Sequence, residues 1–92
     1  MDRQATRHKM HELIDRMLTL DEHKKPDEEY SIQYSGHICG VTITKSITDS
    51  SEKYGRKTVF YNTAYFDWDN DYLEKIEKWI DQEEKDHDII RD

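Results

Sequence analysis

The sequence predicts a single small α+β domain in the order α-β-β-β-α, with the three strands forming an antiparallel meander. Three observations point there. The chain has 92 residues, the length of one domain. Its apolar residues recur at helical spacing near both ends and alternate through the middle. The breaks between the alternating stretches are short, and short connections join antiparallel neighbours.

Residues 3–20 place Met10, Leu13, Ile14, Met17 and Leu18 at i, i+3, i+4, i+7 and i+8, the buried stripe of an amphipathic helix. The charged loop DEHKKPDEE follows, and Pro26 bars the helix from continuing. Residues 29–35 alternate, with Tyr30, Ile32 and Tyr34 on one side of a first strand. Ser35-Gly36 marks a turn. Residues 37–48 read as the second strand, with Cys39, Val41 and Ile43 facing one way and Thr42 and Thr44 the other. Residues 49–55 read as a polar hairpin loop and 56–66 as the third strand. The last helix is expected to start around Asp69–Asp71 and run to about His87. Asp71 with Glu74 fits the spacing of a capping box, and Tyr72, Leu73, Ile76, Trp79 and Ile80 make the buried face. Residues 1–92 thus read as one domain, without repeat, low-complexity tract or linker.

Composition excludes several classes. A TIM barrel, a Rossmann fold or a two-domain enzyme needs a longer chain. No apolar run approaches the ~20 residues that span a bilayer. The single Cys39 cannot form an internal disulfide, and with no signal-peptide pattern at the start a reducing cytoplasm is the expected home. Apolar residues make up 34% and charged residues 38%, so the core is thin, yet the aromatic content and strong periodicity argue against disorder.

The α-β-β-β-α order resembles the double-stranded RNA-binding domain over most of the chain, as an order of elements alone. That family grips phosphates with lysines at the start of its second helix. The matching stretch here is DWDNDYLEKIE, whose acids repel phosphate, so none of the family's binding residues carries over. RKTVFYNTAYF likewise has aromatics but lacks the glycine-aromatic motif of a base-stacking RRM sheet.

The net charge is −7, and residues 61–92 alone hold eleven Asp/Glu against four Lys/Arg. Within the last helix Glu74, Glu77, Asp81, Glu84 and Asp88 are spaced 3, 4, 3, 4, which lines them up as one stripe beside the apolar face. Successive carboxylates then sit roughly 5 Å apart, the order of phosphate spacing along a nucleic acid. Asp67, Asp69 and Asp71 extend this negative surface. The expectation that follows is a non-catalytic module that masks a basic partner, a nucleic-acid enzyme for instance, as a nucleic-acid mimic does. In size and charge the chain resembles the small acidic phage anti-restriction, anti-CRISPR and immunity proteins. The plainer alternative is a solvated helix face, steadied by Glu74–Lys78 and Asp81–Lys85 at i, i+4.

A second expectation comes from the third strand, which has large residues on both sides. Phe60, Ala64 and Phe66 alternate with Val59, Tyr61 and Tyr65. If both helices pack on one face of the sheet, Tyr61 and Tyr65 stay in solvent and offer a homodimerisation or binding face. Trp68 and Trp79 read as core anchors.

No cofactor, metal site or catalytic centre is expected. Asp67-x-Asp69-x-Asp71 opens like an EF-hand loop, but Tyr72 stands where Gly is required and Lys78 where the bidentate Glu belongs. His8 with His11, and His37 with Cys39, lack the spacing of a four-ligand zinc site. Cys39 has no adjacent base, and no Gly-rich phosphate loop or nucleophile elbow is present.

Overall fold

The computed structural model describes residues 3–37, 39–49, 55–65 and 71–90. Its elements are α1 (Arg3–Glu22), β1 (Glu28–Ser35), β2 (Gly40–Thr48), β3 (Arg56–Tyr65) and α2 (Asp71–Asp86). The order is the expected one, and the sheet runs β1-β2-β3 with both pairs antiparallel.

Register decides which side chains meet. Ile43 lies opposite Ile32 on one side and Asn62 on the other, and Val41 lies opposite Tyr34 and Ala64. Directly opposed residues share a face. One face therefore carries Tyr30, Ile32, Tyr34, Val41, Ile43, Lys45, Phe60, Asn62 and Ala64, and the other carries Ser31, Gln33, Thr42, Thr44, Ser46, Thr58, Tyr61, Thr63 and Tyr65. A bulge between Lys45 and Ser46 leaves Val59 as the extra residue of β3 and keeps this division in phase to the end of the ladder.

Both helices pack on the first face. Met10, Leu13, Met17 and Leu20 of α1 join Val41, Ile43, Ala64, Leu73, Ile76 and Ile80 in one buried core. α1 lies beside β1 and α2 beside β3, so the molecule is two layers thick, with extents of 42 × 34 × 18 Å. Trp79 is the expected anchor: its ring stacks on Phe60 at a centroid distance of 4.1 Å and an interplanar angle of 4°. Trp68 and Phe66 lie outside the described residues.

Three details differ from the sequence reading. Leu18 is exposed, and Leu20 takes its place in the core, because the α1 stripe follows 6, 10, 13, 17, 20 rather than drifting to 18. Cys39 is not on a strand: it sits in a turn with φ 51°, half-buried, its thiol donating to the Gly36 carbonyl at 3.6 Å. β2 accordingly starts at Gly40, where a Cβ would lie 3.1 Å from the Ala64 carbonyl and 3.3 Å from the Tyr65 ring, so a side chain here would crowd β3 and glycine eases its close approach.

The ends of the remaining elements have local causes. The β2–β3 connection closes with Asp49 N–H donating to the Gly55 carbonyl at 2.8 Å, and Gly55 takes φ 71°, a conformation favourable for glycine. α2 carries Asp71 and Glu74 in its first turn, where negative charge suits the helix dipole. It ends in a Schellman motif. Asp88 adopts φ 54°, its N–H reaches the Lys85 carbonyl at 3.2 Å, and Ile89 N–H reaches the Glu84 carbonyl at 2.9 Å. Ile89 packs back on the core, the apolar contact that accompanies this motif.

Candidate interaction surface

The acidic stripe of α2 is partly occupied from within. Arg16 projects from α1 across to α2 and is buried. Its Nε donates to Glu84 Oε2 at 3.1 Å, and its second terminal nitrogen lies 2.5 Å from both Glu84 Oε1 and Asp81 Oδ1. A second guanidinium nitrogen is 3.9 Å from Glu77, and Lys9 also pairs with Glu77. Glu77, Asp81 and Glu84 therefore each pair with α1, Glu84 buried and the Glu77 and Asp81 side chains still 32% and 46% exposed, so the stripe is in part engaged within the fold. Glu84 is 5% exposed and Arg16 6%, so this is an internal clamp. Hydrogen bonding to Glu84 outweighs burial and raises the Arg16 pKa further above its ordinary value.

Of the other stripe residues, Glu74 is exposed on α2, as is Asp71 at its start, and Asp88 ends the helix with its side chain in solvent. Lys75, Lys78 and Lys85 are exposed among them, so the outer face of α2 is mixed in sign. Asp67 and Asp69 lie outside the described residues.

A second charged cluster joins β1, β2 and α2. Lys45 Nζ lies 2.8 Å from Glu28 Oε2 and 2.5 Å from Glu83 Oε1. Tyr30 donates its hydroxyl to Glu83 at 2.9 Å, and Glu28 accepts the Lys25 N–H at 2.8 Å. His87 completes the ring of contacts, with Nε2 2.6 Å from Glu28 Oε1 and Nδ1 2.7 Å from the Glu83 carbonyl. Two carboxylates thus meet one ammonium and one imidazole. Glu28, Glu83 and His87 also place their ligand atoms within 4.8 Å of one another, the geometry in which a metal ion could sit. The Lys45 ammonium contacts both carboxylates, so it already supplies the cation there.

Both nitrogens of His87 face acceptors, the Glu28 carboxylate and the Glu83 carbonyl, an arrangement that favours the protonated ring. Burial opposes that charge, but the Glu28 hydrogen bond outweighs it and raises the pKa above the ordinary value. The stabilisation is complete below about pH 6.5 and is lost as pH rises through the folded pKa. Glu28 runs the other way. Burial disfavours its charge, yet hydrogen bonds from Lys45, His87 and the Lys25 amide bring its pKa down to about 2. Its stabilisation is present above about pH 4.5 and fades as pH falls toward 2. The urea midpoint should peak between about pH 5 and 6.5 and fall by pH 9. His87→Gln should flatten the alkaline decline; an unchanged decline in that variant would remove His87 from the account.

The second face of the sheet carries no helix among the described residues. Tyr61 is 69% exposed on it, and Tyr65 is half-buried with its ring 5.9 Å from that of Tyr72. Thr42 and Thr63 share a hydroxyl hydrogen bond of 2.8 Å across β2 and β3. The charged pair on this face, Glu29 and Arg56, is joined in an ion pair. The rest is Ser, Thr, Gln and Tyr, so a face with little net charge belongs to a chain of net charge −7.

The sequence reading missed Arg16, Glu28, Lys45, Glu83 and His87. The signal was present: Lys45 is in phase with Val41 and Ile43, Arg16 lies between Leu13 and Leu20, and Glu83, Glu84 and His87 continue the helical spacing of Leu73, Ile76 and Ile80. No helix among the described residues is long and apolar enough to cross a membrane. No known protein family, curated protein or solved structure matches the chain.

Proposed function

We propose that the protein is a non-catalytic interaction module that self-associates through the open face of its sheet. The observation that supports this is the second face of the β1-β2-β3 sheet, which no helix among the described residues covers and on whose edge strand β3 Tyr61 is 69% exposed. Tyrosine suits a surface that is wet in one state and dry in another, because its ring is apolar and its hydroxyl still finds partners. The low charge of the face favours a second copy as the occupant, since like charges meeting across a two-fold axis would repel. At 4.8 Å between strands and 3.3 Å per residue, three strands of this length give a face of about 450 Å². Two copies would bury about 900 Å², the size of a weak, reversible interface.

Sedimentation velocity at rising concentration tests this. The expected result is reversible association that persists in 1 M salt, because little charge is involved. Tyr61→Asp should abolish it while leaving the circular dichroism spectrum unchanged. A monomer at every concentration would overturn the proposal.

A second reading rests on the net charge of −7. In it the acids still exposed, Asp71, Glu74 and Asp88, attract a basic protein partner such as a nucleic-acid enzyme, and the chain masks that partner's phosphate-binding surface. This reading no longer draws on Glu77, Asp81 and Glu84 as a free stripe. It predicts association with the partner that 1 M salt reverses, the opposite of the first reading.

A further inference from the structure

We propose that the outer flank of α1 and the free edge of β1 bind an extended peptide segment of a partner protein, added as a fourth strand, with apolar residues at one end and acidic residues at the other. This surface is separate from the open face of the sheet and does not depend on it.

β1 lies at the edge of the sheet, and no strand among the described residues pairs with its other side. An edge of this kind is a ready template for another strand. α1 overhangs it. The side of α1 turned away from α2 carries Arg3, Arg7, His11, Ile14 and Leu18, whereas Lys9 and Arg16 reach toward α2. On that outer flank Leu18 is 55% exposed, and Ile14 is packed only partly against the core. Leu18 is the residue that helical spacing placed inside, and an added strand would cover it.

Clefts run the length of this flank. One of about 360 Å³ has Met10, Ile14 and Val41 as its floor, the exposed Tyr34 ring as a wall and Arg3, Arg7 and His11 at its rim. A shallower one continues past His11 and Ile14 to Asp15 and Leu18. The groove is therefore apolar beside Leu18 and cationic beside Arg7. In a chain of net charge −7, a cationic rim over an apolar floor selects an acidic segment with an apolar anchor and disfavours a basic one.

Spacing sets the pattern. Leu18 and Arg3 are fifteen residues apart in a helix, about 22 Å. A strand covers that in about seven residues, which hold four side chains on one face. Side chains facing α1 fall at every second position, so two apolar positions followed by two acidic ones match the groove.

The probe is a nine-residue threonine peptide with isoleucine at its second and fourth positions and aspartate at its sixth and eighth. A second peptide of reversed order serves the opposite strand direction. Each is titrated into ¹⁵N-labelled full-length protein. The expected result is amide shifts confined to β1 and the outer flank of α1 with one of the two peptides. Replacing both aspartates with lysine should abolish binding. Joint Arg3→Glu and Arg7→Glu should weaken it at least about ten-fold, with dichroism confirming the fold. N-methylation of the peptide backbone should also abolish it, because strand addition needs main-chain hydrogen bonds. The proposal is overturned if neither peptide shifts these amides at millimolar concentration, or if the lysine peptide binds equally. It is also overturned if acetate alone gives the same shifts, which would make the cleft a simple anion site, or if dilution of the free protein moves the same amides, which would place a second copy there.

Discussion

Lys45→Met is expected to destabilise the domain by about 3–5 kcal/mol, because it removes the cation from between two buried carboxylates. Lys45 is 8% exposed, Glu28 9% and Glu83 7%, so water cannot replace the lost partner without opening the core. Desolvation favours the uncharged amine, but the hydrogen bonds to Glu28 and Glu83 prevail and hold the Lys45 pKa above its ordinary value. A domain of this size has roughly 5 kcal/mol of stability to lose, so the variant should be largely unfolded at 37 °C by circular dichroism. The double variant Lys45→Met with Glu83→Gln should recover part of the loss, since it removes one of the stranded charges. A single variant within about 1 kcal/mol of the wild type in urea unfolding would show that the cluster contributes little.

Arg16→Met should cost a similar amount, about 3–5 kcal/mol, for the same reason on the other side of α2. The forked contact to Glu84 and the further contact to Asp81 are what a planar guanidinium provides and an ammonium does not. Arg16→Lys should therefore be intermediate, and Arg16→Met with Glu84→Gln should be more stable than Arg16→Met alone. Urea unfolding of the three variants checks the order. Equal midpoints for Arg16→Lys and the wild type would show that the charge matters and the fork does not.

These two variants mark where sequence reasoning succeeded and where it stopped. Periodicity located every element, because Leu73, Ile76 and Ile80 at helical spacing and Tyr30, Ile32 and Tyr34 in alternation each admit one local structure. It also placed Glu77, Asp81 and Glu84 correctly on one side of α2. It could not reveal that α1 lies against that side with Arg16 pointing into it, because such a pairing spans 65 to 68 residues and has no local signature. Treating charged residues as exposed by default hid the rest. Lys45 keeps the phase of a buried strand face, and His87 keeps the phase of a buried helix face. Both are held there by partners from other elements. The sequence left open whether both helices pack on one side of the sheet, because that depends on contacts between distant elements; the structure places both there, and on the second face Tyr61 is exposed while Thr63 is buried.

In the function proposed above, the acids of α2 help fasten the fold while the second sheet face makes the contacts. A dilution series of ¹⁵N–¹H spectra from about 1 mM down to about 20 µM at two salt concentrations tests both halves at once. The expected result is concentration-dependent shifts at Thr42, Thr44, Tyr61 and Thr63 that survive high salt, with the amides of α2 unmoved. Shifts confined to α2, or shifts that high salt removes, would contradict it.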